Sequence, residues 1–441
     1  MQPAKFKQGK YWIWLWFLWI GSAICSSSVI ATEVSVEITG SGRHVIKIAV
    51  TPFVVQPMAS EQMQTELAAV LQNDLRISGF FDTLDADRDQ IRAIHTNDLT
   101  SGEVQFQQWA DFGARLLVKS IYEQQGAKLK IECRVYDTLG GDLILGKRYE
   151  NDVVHARRVM HRFADEIILK MTGEPGMLSS KLVFTSTRSG HRELYQIDFD
   201  GANLTRLTED RSLIISPAVS PDGQKICYTS YKDNNPDLYL MYVENQKTDV
   251  LAMHPGLNFA AAWASDNQTL ALTLSKDGNP ELYLLDILSK QETRLTKNQW
   301  NDVSPAWSPD GAEIVYTADN IGAPQLYIID RRGGNPRRLT FRGAYNVSPS
   351  WSPTGELIAF TSSMDGNFNI YTVQPNGDNL QQLTQNAGNN EEPTWSPDGR
   401  YIAFQSTRDG ASSIYVMNAD GTNQRRVTDG KGADFSPDWM Q

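Results

Sequence analysis

PAWSPDGAEIVYTADNIGAPQLYIIDRRGGNPRRLT, residues 305–340, is one copy of a pattern that recurs along more than half of the chain. Read locally, it divides into four short runs separated by turn residues. PAWS is a first strand and PDG turns it. EIVYT follows with Ile314, Val315 and Tyr316 all apolar, as a strand covered on both faces requires. The loop ADNIGAP leads to QLYIID, RRGGN turns again, and RRLT ends the unit. Gly, Asn, Asp and Pro between β-branched and aromatic runs, at intervals of about 8–12 residues, predict antiparallel sheet.

The same punctuation lies 44 residues away on either side. SPDG stands at 220–223, 308–311 and 396–399, with ASDN at 264–267 and SPTG at 352–355 in register. Val219, Trp263, Trp307, Trp351, Trp395 and Trp439 form a column before it. Tyr195, Tyr239, Tyr283, Tyr327, Tyr371 and Tyr415 form a second, and Leu207, Leu251, Leu295, Leu339, Leu383 and Val427 a third. Six units account for residues 177–441 without insertion or deletion. Four strands in each of six units predict an all-β six-bladed β-propeller. The first unit lacks its own Trp motif, whereas FSPDW (435–439) supplies one with no unit after it. The C-terminal strand is therefore expected to complete the blade begun at Lys181, which hides both open edges of the sheet array. The Trp column reads as packing between blades, and the Tyr column likewise, with hydroxyls reaching neighbouring strands.

Composition narrows the rest. The 441 residues carry 41 Lys and Arg against 52 Asp and Glu, a net charge of −11, which argues against nucleic acid as a partner because phosphate contacts need clustered cations. Lys5, Lys7 and Lys10 precede the apolar run YWIWLWFLWIGSAI (11–24), and a Ser-rich stretch ends in Val29-Ile30-Ala31. This is the layout of a secretory signal peptide, cleaved between Ala31 and Thr32, and the run is short for a membrane span. Losing its three lysines takes the charge to −14. Direct membrane insertion of the mature chain is not expected. Cys133 and Cys227 then remain and read as small core residues, not a disulfide framework.

Residues 32–173 have no repeat and read as an α+β domain with a mixed sheet. Residues 174–177 are a linker broken by Pro175, and 178–441 the propeller. Val34, Val36 and Ile38 alternate with Glu33, Ser35 and Glu37, and HVIKIAVTPF (44–53) is a second strand. Helices are expected over 58–79, 103–113 and 155–173. RLLVKSIYEQ and KLKIECRVYDT pair as a hairpin, with LILGKRYEND as a third strand.

Catalytic motifs are scarce. Gly141 to Lys147 resembles a phosphate-binding loop, but Arg148 stands where Ser or Thr is required, and a hairpin turn at Gly140-Gly141 accounts for it better. HExxH, GxSxG and paired CxxC motifs are absent, and His155 and His161 are spaced six apart on one expected helix, which does not converge on a metal. Neither a cofactor nor a metal site is predicted.

One face of the ring is more informative. The loops joining successive units share a face with those between second and third strands. There a column reads Leu213 or Ile214, Asn258, Asp302, Asn346, Asn390 and Asp434, three residues before the Pro position of the first strand, five of the six being Asx. These Asx residues are either turn caps at strand entry or a polar collar around the channel mouth. The same loops carry Phe259, Trp300, Phe341, Arg342, Tyr345, Glu391 and Glu392, which depart from their column neighbours and are candidate interface anchors.

A signal peptide, an α+β domain and six 44-residue SPDG units in this order resemble the TolB family of the Tol–Pal system. The repeat alone is also similar to the propellers of prolyl oligopeptidases, but the hydrolase domain and its GxSxG elbow are missing. The resemblance implies a non-enzymatic periplasmic scaffold serving outer-membrane integrity and envelope constriction during cell division. It implies that the channel face binds the Pal lipoprotein, that residues 32–43, with Glu33, Val34, Val36 and Ile38, bind TolA, and that bacteriocins enter the same channel. That segment is otherwise an edge strand of its own domain. The rival reading is a peptidase-associated, glycan-binding or lyase propeller.

Overall fold

A computed structural model describes residues 45–55, 61–84, 89–364 and 366–440. The signal-peptide and N-terminal-segment residues named above, including Ala31, Thr32, Glu33, Val34, Val36 and Ile38, lie outside the described residues.

The first domain is a mixed sheet. Its elements run β1 (Ile46–Val50), β2 (Val54–Val55), α1 (Glu61–Ile77), β3 (Phe81–Thr83), α2 (Asp89–Ser101), α3 (Phe106–Asp111), β4 (Leu116–Gln125), β5 (Lys128–Asp137), β6 (Leu143–Asp152) and α4 (Ala156–Thr172). The sheet order is β3-β1-β4-β5-β6, with β2 also beside β4. β1 pairs parallel with β3 and β4, and β4, β5 and β6 are antiparallel. Strand alternation splits the core into two layers. Ile48, Val50, Leu116 and Val118 face α1 and α4, while Ala49 and Leu117 face Ile91 of α2 and Trp109 of α3. In α4, Met160, Phe163, Ala164, Ile167, Ile168 and Met171 fall on one buried stripe at helical spacing. Gly173 ends it in the left-handed conformation, φ 77°, that only glycine adopts freely.

Two expectations need correction. The helix expected over 103–113 is shorter, and α2 before it escaped notice. The buried residues of α2 are Ile91, His95 and Asp98, so its inward stripe is largely polar and shows no apolar periodicity. Asp98 explains the stripe: its carboxylate accepts from Trp109 Nε1 at 2.9 Å and Lys119 Nζ at 2.5 Å. His155 closes a short 3-10 turn before α4 and so does not share a helix with His161.

The propeller has six four-stranded antiparallel sheets. The innermost strands are Ile214–Val219, Asn258–Trp263, Asp302–Trp307, Asn346–Trp351, Asn390–Trp395 and Asp434–Met440. Each starts at the Asx column or its Ile214 equivalent, three residues earlier than the PAWS reading placed it. Asp434–Met440 pairs with Lys181–Ser186, so the last strand completes the first blade as expected. Cys133 and Cys227 are buried free thiols.

The repeated motif has a physical account. In the SPDG turns, Ser220, Ser308 and Ser396 Oγ donate to the carboxylates of Asp222, Asp310 and Asp398 at 2.5–2.6 Å. The same hydroxyls accept from the backbone N–H five residues on, and Gly223, Gly311 and Gly399 take φ near 70° to close the turn. The Trp column ties neighbouring blades. Trp263, Trp307, Trp395 and Trp439 Nε1 donate to the carbonyls of Ala218, Ala262, Ser350 and Thr394 in the preceding innermost strand, at 3.0–3.1 Å. Trp351 instead turns to Gly355 O in its own blade at 3.3 Å. Four of the Tyr hydroxyls turn to their own blade, not to a neighbouring strand as expected: those of Tyr239, Tyr283, Tyr327 and Tyr415 donate to Asp233, Asp277, Asn320 and Asp409 in the loop of the same blade.

Trp307→Phe keeps an aromatic side chain but removes the indole N–H and strands the Ala262 carbonyl, and is expected to cost about 1–3 kcal/mol, seen as a lower urea midpoint at unchanged slope. Trp351→Phe breaks no bond between blades and should cost less. Equal losses would show that the inter-blade bond contributes nothing.

Candidate partner-binding face

The Asx residues are not a solvent-facing collar. Asn258, Asp302, Asn346, Asn390 and Asp434 are at most 1% exposed. Their amides and carboxylates face into the loops that precede them. Asn258 Nδ2 donates to the His254 carbonyl at 2.7 Å and its Oδ1 accepts from His254 N at 3.0 Å. Asn346 Nδ2 donates to Arg342 O at 2.8 Å, and Asn298 Nδ2 donates to Asp302 at 2.6 Å. Arg188 and Arg408 cover Asp434 and Asn390, at 3.0 and 2.8 Å. Burial dictates this arrangement, since an enclosed amide or carboxylate must find partners.

A second polar column, which the sequence reading missed, completes the weld. Glu193, Asp237, Glu281, Gln325, Asn369 and Ser413 open the third strands, buried and again 44 residues apart. Gln325 Oε1 accepts from Asn346 of the next blade at 2.8 Å and from Thr340 at 2.9 Å. Asn369 does the same for Asn390 and Thr384, at 3.2 and 3.0 Å. The 44-residue spacing was a usable signal, but the column mixes acid, amide and hydroxyl and so hides among surface-type residues.

These welded loops display apolar side chains. Trp300, Phe341 and Tyr345 are exposed, Phe341 at 72%, and Leu213, Met253 and Ile321 join them on the same face. Arg338 lies 4.9 Å over the Phe341 ring, and Tyr345 meets Phe368 edge-on at 5.6 Å. Gly343, at φ 81°, lets the Phe341–Tyr345 loop turn where a Cβ would come within 3.0 Å of Ser362 and Met364. Trp300 N donates to Asn298, and the Trp300 carbonyl accepts from Asn279. Arg342 is exposed beside Phe341.

Phe259, Glu391 and Glu392 lie elsewhere, half-buried within the innermost strands. Glu392 belongs to a third column, with Ser216, Ala260, Ser304, Ser348 and Ser436, where φ is +50 to +54° and each innermost strand bulges. This column lines a channel cavity of about 350 Å³. Among the described lining residues the charge comes from Glu392 and Asp438. Burial pushes the Asp438 carboxyl up to about 6, although Val219 N and Thr394 Oγ1 donate to it. Burial raises Glu391 too, with neighbouring Glu392 adding to the effect.

Two family models match the chain: the TolB beta propeller domain over residues 168–363 and 344–441, and the TolB amino-terminal domain over 34–144. The chain belongs to the TolB family. It is 40% identical over 209 residues to the Tol-Pal system protein TolB of Syntrophotalea carbinolica, covering 46% of this chain and 47% of that one. It is 38% identical over 191 residues to the protein of the same name from Geobacter sulfurreducens, covering 43% of each. The chain thus spans about half the length of the curated relatives it matches. The crystal structure of TolB from Acinetobacter baumannii superposes with a TM-score of 0.78 at 25% identity, over 90% of this chain and 96% of that one. No helix among the described residues is long and apolar enough to cross a membrane.

Within this TolB-family propeller, Asp302 offers a test of the weld. Burial, with Glu281 and Asp319 nearby, raises its carboxyl to about 6 against the hydrogen bond from Asn298. The folded form therefore binds the proton more tightly than the unfolded chain. Stability falls as pH rises from about 4 to about 6, and the deficit persists at neutral pH. Asp302→Asn, the residue type of three sister blades, should stabilise the protein by about 1–3 kcal/mol at pH 7 and leave it unchanged near pH 4 in thermal unfolding. A loss at both pH values would show that the carboxylate itself is needed.

Proposed function

We propose that this chain is a non-enzymatic periplasmic scaffold of the Tol–Pal system, serving outer-membrane integrity and envelope constriction. Its loop face docks the Pal lipoprotein, and its segment 32–43 engages TolA. The names of its relatives place those proteins in the Tol–Pal system. The observation that carries the reading is the cluster of Trp300, Phe341 and Tyr345, exposed on loops held rigid by buried polar bonds. Pre-ordered aromatic anchors lose little entropy on binding and commonly dominate an interface. The half-buried acids Glu391 and Glu392 and the buried Asx residues contribute by shaping the channel and the loops. Phe259 does the same from the innermost strand. Bacteriocins that use the channel would meet the same surface.

Capture of Pal from envelope extract by the full chain tests the docking face. Trp300→Ala and Phe341→Ala should each weaken capture by tenfold or more, about 2 kcal/mol, with unfolding midpoints unchanged. Undiminished capture in both variants, or turnover of a glycan or peptide by the purified protein without Pal binding, refutes the reading. Deleting residues 32–43 should abolish TolA capture and preserve both the melting profile and Pal binding. Loss of folding would make that segment a structural strand of its own domain.

A further inference from the structure

The two domains meet over a buried cluster that neither the fold nor the docking face uses. Asp74 on α1, His161 on α4 and Asp200, on the turn after the first blade's strand Glu193–Asp198, bring their ligand-type atoms within 4.8 Å of one another. Asp74 is 0% and His161 2% exposed. His161 Nδ1 is 2.6 Å from Asp74 Oδ2, and its Nε2 faces Asp200 Oδ2 at 3.8 Å. Among the described residues neither Nε2 nor Asp74 Oδ1 has a hydrogen-bond partner. Asp200 is held in place by Arg157 at 2.5 Å and by Ala202 N, which donates to its other oxygen.

We propose that His161 is a proton-controlled pin between the domains. With both ring nitrogens protonated it bridges Asp74 of the first domain and Asp200 of the propeller. Without the Nε2 proton it turns a lone pair on the propeller carboxylate and loosens the junction. The charged groups around it come from every neighbouring element. They are Asp74 from α1, Arg157 and Asp165 from α4, Asp198 and Asp200 from the first blade, and Arg425 from the sixth. Burial by itself would push the imidazole down, but Asp74, Asp200 and Asp198 more than offset this and hold it above its ordinary value. Burial likewise raises Asp74 to about 6 against the pull of His161. The raised histidine stabilises the folded junction at lower pH, and that contribution is lost as pH rises through its folded pKa. Protonation of Asp74 weakens the bridge from the acid side, so the pin is strongest between the two.

The turn that carries Asp200 is also part of the ring joint. Phe199 packs at a tilt against Trp439 of the closing strand at 5.6 Å and Tyr401 at 5.2 Å, and Arg425 lies over it at 4.3 Å. Release of the pin therefore acts on the blade that closes the propeller.

Histidine-labelled NMR on the full chain tests this. The His161 ring should lose its second proton on the alkaline side of a free imidazole. Asp200→Asn, a near-isosteric change, should move that loss about one pH unit downward, a tenfold change in proton affinity. Hydrogen-exchange protection at Gly201 and Ala202 should fall about tenfold across the same transition, relative to core amides. A ring that loses its second proton on the acid side of a free imidazole, a titration unchanged by Asp200→Asn, or protection indifferent to the ring's state would overturn the proposal. So would Zn²⁺ binding at pH 7 that displaces the ring proton and vanishes in Asp200→Asn, because the cluster would then be a metal site.

Discussion

A ring of sheets holds only if its last strand finds its first, and here that pairing joins residues some 250 positions apart in the chain. Asp434–Met440 lies against Lys181–Ser186, and Trp439 Nε1 reaches back to Thr394 of the sixth blade. Closure satisfies backbone groups that an open array would leave exposed at both ends. The inter-blade Trp bonds and the Asx-to-third-strand bonds then lock adjacent sheets at opposite ends of the innermost strand. With both ends fixed, the loops can display large apolar side chains without collapsing onto them. The loop face is held in place because the ring beneath it is closed.

Much of this could be read from the sequence because repetition turns weak local signals into columns. A lone Trp before a turn says little, whereas five at a fixed spacing identify an element of the architecture. The non-repeating domain lacked that amplification. Helix α2 was missed because Asp98 and His95 occupy its buried stripe, and their partners Trp109 and Lys119 lie on other elements. Hydrophobic periodicity cannot report a face whose inward residues are polar.

The site shows the same division. The Asx column was visible, yet its burial was not, because an exposed cap and an enclosed one share a residue type. Glu391 and Glu392 stood out from their columns but lie half-buried in an innermost strand, where the bulge turns Glu392 to the channel. The sequence offered His161 only His155 as a neighbour, since Asp74 lies 87 residues before it in α1 and Asp200 in the propeller. Trp300, Phe341 and Tyr345 were recoverable because they broke a pattern that scaffold packing explains everywhere else.

The closing strand also orders events in time. A chain made from its N-terminus has the other described strands before Asp434–Met440 exists. Until then the edge of Lys181–Ser186 stays open, and the channel lacks the wall that bears Asp438. That open edge is the kind of surface that templates unwanted pairing. Asp434–Met440 thus acts as a latch, and an edge of the first blade is unprotected until that strand has been made.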